Sequence, residues 1–176
     1  MPVPIIVIVL AFTALCVVSD VRTRRIPNAI SGPGMLCGIV LNTAYLGSTG
    51  LIVSLAGLAV AIGVLILPFA GGGIGGGDVK MMGAVGAFLG PRLTLLGLAA
   101  GMILGGGIMV VHLARQGRLR EKLKATAAMF QVAAVTRSAS PLRVSATEPA
   151  AVTLPYSVPL ALGTLTAVGL SGFLGL

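Results

Sequence analysis

From Leu51 to Ala70 the chain runs through twenty residues without one charged side chain. A helix of about 20 apolar residues is what the hydrocarbon of a bilayer requires of a spanning segment. Comparable runs flank it: Val3 to Ser19 is the first, Gly34 to Leu46 a shorter second, Leu93 to Leu113 the fifth and Pro155 to Leu176 the sixth. Between the third and fifth, a glycine-rich stretch over 71–77 leads through Asp78 into a short apolar piece, Val79 to Leu89. A soluble fold fails on composition, because charged side chains make up 9% of the chain and the mean hydropathy is +1.07, whereas a water-facing surface needs roughly 25% charged residues. Nor are the apolar residues gathered onto one amphipathic face. The expected fold class is therefore all-α integral membrane, with about six transmembrane helices in a single membrane-embedded domain over 1–176.

The positive charges orient it. A net charge of +8 invites a nucleic-acid partner, but the basic residues are confined to short segments between apolar runs, as topology signals are. With the N-terminus outside, the cytoplasmic segments are 20–33, 71–80 and 114–154. They contain Arg22, Arg24, Arg25, Lys80, Arg115, Arg118, Arg120, Lys122, Lys124, Arg137 and Arg143, and only Arg92 falls on the other side. Eleven against one predicts that the N-terminus and, with an even number of spans, the C-terminus lie outside. No basic n-region precedes the first run, so it is expected to be a retained helix rather than a cleaved signal.

The fourth segment is short, about 16 Å for 11 residues, so either it reaches back into the glycine stretch or it sits where the bilayer is thinned; a short, protein-contacted helix is the preferred expectation. Gly97, Gly101 and Gly105 recur every four residues, and Gly83, Gly86 and Gly90 nearly so, which puts small-residue seams for close helix packing on the fifth and fourth segments. Over 116–135, Leu119, Leu123, Ala127, Phe130 and Ala134 recur at helical spacing with Arg118, Lys122 and Lys124 off the stripe. This predicts a cytoplasmic amphipathic helix between the fifth and sixth spans, lying on lipid, followed by an irregular linker over 138–154.

Few residues are available for chemistry. Cys16 and Cys37 have no CxxC spacing and read as packing residues. His112 is the only histidine and has no partners with which to assemble a nucleophile or metal set. Of the four acidic residues, Glu121 pairs by spacing with Lys124 and Glu148 sits in the linker. Asp20 and Asp78 remain, each at the same edge of the membrane. Either can be a structural cap, yet ionisable groups beside hydrocarbon are costly and mark function by default. Six of the seven residues before Asp78 are glycine, leaving a bare backbone that an extended peptide can approach. A phosphate cradle does not fit, since Met81 follows Lys80 where a Ser or Thr is needed. Two carboxylates held close together share a proton. The ionised one can activate water while the protonated one polarises a peptide carbonyl, chemistry that calls for no metal and no cofactor.

Three stretches carry a family likeness. Asp20 followed by Arg25-Ile26-Pro27-Asn28, Gly75-Gly76-Gly77-Asp78-Val79-Lys80, and Leu154-Pro155-Tyr156-Ser157-Val158-Pro159-Leu160-Ala161-Leu162-Gly163 resemble motifs of the type IV prepilin peptidases, aspartic membrane proteases of the GxGD type. The last stretch departs from the family pattern at Ser157 and Val158. The resemblance implies that Asp20 and Asp78 are catalytic, with Gly75, Gly77, Lys80, Pro27 and Asn28 supporting the site or binding substrate. It also implies that a prepilin or pseudopilin loses its short basic leader at the cytoplasmic face of the bacterial inner membrane, with no nucleic acid involved. The lack of CxxC pairs and of room between the first two helices is similar to the compact, peptidase-only branch serving Flp-type tight-adherence pili; archaeal preflagellin peptidases are related. Two roles fit Lys80, favouring an ionised Asp78 or anchoring at the interface. The competing readings are a presenilin-like protease, whose aspartates lie deeper, and a small transporter or pilus-assembly scaffold without proteolysis.

Overall fold

The computed structural model describes residues 2–117, 119–120 and 156–174. Four helices build it: α1 (Val3–Thr23), α2 (Asn28–Ala70), α3 (Gly76–Arg115) and α4 (Ser157–Leu174). The first three are long and apolar enough to cross a membrane. The amphipathic helix expected over 116–135 falls almost wholly outside the described residues, and the linker over 138–154 does so entirely.

Two of these helices are too long to be straight. Unbroken, the 43 residues of α2 would extend about 65 Å, twice the roughly 30 Å hydrocarbon core. The break comes at Gly47, whose φ of 61° and ψ of −140° leave the helical region. It lies between the ends of the second and third apolar runs, where glycine alone takes a positive φ without strain. In α3 the break is at Gly90 (φ 74°, ψ 176°), followed at once by Pro91. Each helix is thereby divided into two arms, 28–46 and 48–70, then 76–89 and 91–115.

Close contacts give the register. Asn42 bonds Ser54 and Ser54 bonds the Gly38 carbonyl, so the two arms of α2 run antiparallel. A Cβ on Gly57 would strike the Gly86 carbonyl and one on Gly86 the Gly57 carbonyl. The first arm of α3 thus lies antiparallel to the second arm of α2, with backbones touching across a glycine pair. A Cβ on Gly101 would meet the Pro159 carbonyl at 3.0 Å, one on Gly105 would meet Pro159 Cβ at 3.3 Å, and one on Gly163 would strike the Gly97 carbonyl. The seam on the fifth apolar run therefore seats α4, and the seam on the fourth seats α2.

The short fourth segment is sheltered, as expected. Every residue from Met81 to Gly90 is buried, and the arm extends back to Gly76. Large apolar side chains such as Val7, Leu36, Ile52, Leu67 and Ile103 face outward, while Thr13, Asn42, Ser54, Thr94 and Thr164 lie inside. Water as solvent would favour the reverse; lipid favours this arrangement. Thr13, Thr94 and Thr164 return their hydroxyl protons to carbonyls one turn back, a bond that a helix side chain in apolar surroundings always has within reach.

Within the segment 20–33 the connection is only four residues long, because α1 continues to Thr23 and α2 begins at Asn28. Arg22 sits in the last turn of α1, where a cation is favoured by the helix dipole. Pro27 stands at the N-cap of α2 with φ −65° and ψ 147°, pre-set to start the next helix.

Pro91 has no N–H for the Ala87 carbonyl. Asn42 Nδ2 donates to that oxygen and to the Phe88 carbonyl, both at 2.9 Å, and Ser54 Oγ donates to Ala87 O at 2.7 Å. Replacing Asn42 by Leu takes this donor from the Phe88 carbonyl and leaves the Ala87 carbonyl to Ser54 alone, and should lower unfolding free energy in detergent by about 1–3 kcal/mol. Thr43→Val, which removes only a half-buried bond to its own helix, should cost less.

Candidate active site

At the end of the bundle away from Gly47 and Gly90, three chain segments converge. The first is the turn after α1. Thr23 Oγ1 donates to the carbonyls of Ser19 and Arg25, at 2.8 and 3.0 Å, and Ser19 Oγ donates to the Arg25 carbonyl at 3.0 Å. The Arg24 N–H closes the helix on the Asp20 carbonyl at 2.7 Å, with Arg24 in the left-handed region at φ 53°. Asp20 thus stands in the last full turn of α1, half-buried, on a backbone tied from both sides.

The second segment is the glycine stretch, and the geometry divides it by task. Gly72, at φ 77°, donates its N–H to the Phe69 carbonyl, and Gly73 donates to the Pro68 carbonyl, each at 2.9 Å. This pairing is a Schellman motif, so the front of the glycine run closes α2 rather than lying open. The back opens α3, with Gly75 at the N-cap. Asp78 is therefore the third helical residue and not the cap itself. Its carboxylate reaches back to the Gly75 N–H, the acidic half of a capping box. A Cβ on Gly75 would stand 3.3 Å from Asp78 Oδ2, which crowds that carboxylate.

Asp78 is 8% exposed, and its other oxygen, Oδ1, is buried with no hydrogen-bond partner. Buried polar atoms are nearly always satisfied, which sets this carboxylate oxygen apart. The charge of Asp20 reaches Asp78.

The third segment is the start of α4. Ser157, fully buried, donates its hydroxyl proton to Asp20 Oδ2 at 2.6 Å. Nothing in the sequence pointed to this residue as part of the site. The available signal was a hydroxyl at the departure from the family pattern, just inside the last apolar run.

The remaining residues singled out from the sequence gather here as well. Ile26 is buried against Gly77, where a Cβ would stand 3.2 Å from the Ile26 Cβ and 3.3 Å from its nitrogen. Pro27 is exposed and caps α2. Lys80 Nζ donates to Asn28 Oδ1 at 2.8 Å on the exposed side, joining the first turns of α2 and α3. Cys16 is buried one turn before Asp20. His112 lies elsewhere, near the end of α3, with its ring Nε2 2.9 Å from Gln116 Nε2. Among the described residues no group of three or more His, Cys, Asp or Glu side chains is placed to hold a metal.

Residues 7–110 match the type IV leader peptidase family. The matched stretch contains Asp20, the turn to Asn28, the glycine run, Asp78 and Lys80, and it ends before Ser157. No curated protein and no solved structure gives a significant match.

The packing of Ile26 on Gly77 can be tested covalently. In a chain with Cys16 and Cys37 replaced by Ala, the pair Ile26→Cys and Gly77→Cys should form a disulfide under mild oxidation, since bridged Cβ atoms lie about 3.5–4.5 Å apart. The expected readout is a mobility shift reversed by reductant; an Ile26→Cys, Gly63→Cys control pair should show none.

Proposed function

The chain belongs to the type IV leader peptidase family, and on that premise we propose that it is an aspartic endopeptidase in which Asp20 and Asp78 form the catalytic dyad. Its substrate is a prepilin or pseudopilin, whose short basic leader it removes. The observation that carries this reading is the placement of the two carboxylates at the same end of the bundle, at the end of α1 and the start of α3. They are separated by 58 residues of sequence (78 − 20), yet the charge of Asp20 is felt at Asp78, and Asp78 presents a buried, unpartnered oxygen.

In this mechanism the dyad holds one proton between two carboxylates. The ionised member accepts a proton from water as the water oxygen attacks the scissile carbonyl carbon. The protonated member donates to the carbonyl oxygen, where negative charge develops. Collapse of the tetrahedral adduct breaks the C–N bond, and the proton taken from water passes to the leaving nitrogen. The back of the glycine run supports substrate access at Gly75, which is exposed beside Asp78 and carries no side chain. Gly77 is needed for Ile26 to pack. Of the two roles open to Lys80, its bond to Asn28 supports anchoring: with Asn28, just after Pro27, it ties the start of α2 to the start of α3.

The topology follows the same reading. The arms of α1, α2, α3 and α4 supply six spans of a single domain, with both termini outside and the dyad at the cytoplasmic face of the bacterial inner membrane. In support, Arg22, Arg24, Arg25 and Lys80 surround the end that carries the aspartates, while Arg92 follows the break at Gly90, at the opposite end. Only residues 24–27 separate α1 from α2, which supports the compact, peptidase-only branch associated with Flp-type pili.

Co-expressed with a prepilin of that type, Asp20→Asn and Asp78→Asn should each reduce leader removal by at least about 10²–10⁴-fold, the usual worth of a positioned acid or base, at unchanged membrane content. Cleavage at the wild-type rate by either variant would falsify the dyad. For the topology, a single cysteine at position 22 should resist an impermeant maleimide in intact cells, and one at position 92 should react; the reverse pattern would invert the orientation.

A further inference from the structure

Resting on that reading of the site, we propose that Ser157 is a positioning residue for Asp20, delivered from the C-terminal helix to hold the catalytic carboxylate in one orientation. The residue is 0% exposed and its hydroxyl lies 2.6 Å from Asp20 Oδ2, a length typical of an O–H···O⁻ bond. At a helix N-terminus a serine oxygen can accept from the helix's free N–H groups, which leaves the hydroxyl proton available to another partner. Here it is turned outward, across 137 residues of sequence, to a side chain of α1.

The support beneath it is rigid. Leu160, one turn on, is buried, and the α4 backbone is seated on α3 through the Gly97–Gly163 and Gly101–Pro159 contacts. The terminal torsion of an aspartate is broad and soft. A fixed donor on one oxygen removes that freedom, so the other oxygen keeps a constant direction. Displacements of about 1 Å at a reacting group can change rates by up to roughly 10²-fold, which is the scale on which such a bond would act. Ser157 also lies beyond the stretch 7–110 that matches the family.

The test uses purified full-length protein in lipid vesicles with a synthetic prepilin, comparing wild type, Ser157→Ala, Ser157→Cys and Asp20→Asn. Ser157→Cys preserves volume but offers only a weak donor, so it separates donation from packing. The expected result is a kcat reduced by about 10–100-fold in both Ser157 variants, with KM within about twofold and thermal unfolding in detergent unchanged. Wild-type kcat in Ser157→Ala, or full activity in Ser157→Cys with loss only in Ser157→Ala, would overturn the proposal; the latter would mean that the site needs volume and not a donor. A change confined to KM would overturn it too, by making Ser157 a substrate contact, and so would a loss of kcat that tracks a lowered unfolding temperature. Wild-type cleavage by Asp20→Asn would instead remove the dyad itself, an outcome separate from any result at Ser157.

Discussion

The arrangement of this protein depends on how a broken helix is satisfied where no water is available. A backbone carbonyl in hydrocarbon must find a donor within the protein, and Pro91 deprives the Ala87 carbonyl of one. Asn42 and Ser54, from the two arms of α2, supply it. The same three-way junction that repairs the break also clamps the far end of the buried arm 76–89. Its near end is held by Ile26 against Gly77. With both ends fixed, the depth and rotation of Asp78 follow. The glycine contact between Gly57 and Gly86 lies between those two points and lets the backbones approach to a distance that no side chain would allow.

The end of the bundle that carries the aspartates is built economically from helix termini. The last turn of α1 supplies Asp20, the first turn of α3 supplies Asp78 and the first turn of α4 supplies Ser157. Helix ends leave backbone groups unpaired, and here those groups are closed by local devices: the left-handed Arg24, the Schellman pairing at Gly72 and Gly73, and the return of Asp78 to Gly75. What remains unpaired is a side-chain oxygen, Asp78 Oδ1. Among the described residues it is the buried side-chain oxygen left without a partner.

Much of the architecture was legible in advance because lipid imposes simple demands. Apolar runs of spanning length, glycines at four-residue spacing and basic residues at the ends of runs each reflect a short-range rule, and the helical arms, the two glycine seams and the common end of the aspartates followed from them. The helical state of Val21, Arg22 and Thr23 is not announced by hydropathy, since charged and polar residues extend a helix readily when they sit in its last turn. The glycine run was read as one open stretch. Its first half instead terminates α2, a distinction set by the sign of φ at Gly72, which glycine permits but does not announce. Asn42 and Ser54 attracted no notice, as isolated polar residues in apolar runs have many possible partners.

The sequence by itself determined the solvent, the helical class, the small set of ionisable groups and, through the motifs around them, the family. Those are properties of composition and of spacings within a turn or two, which a linear chain carries in full. Tertiary structure alone decided which polar atoms meet: Asn42 with the carbonyl of Ala87, Lys80 with Asn28, Ser157 with Asp20. These pairs are separated by 45, 52 and 137 residues. Their meeting is set by helix register, which depends on how closely glycine faces can pack, and no local pattern encodes that distance.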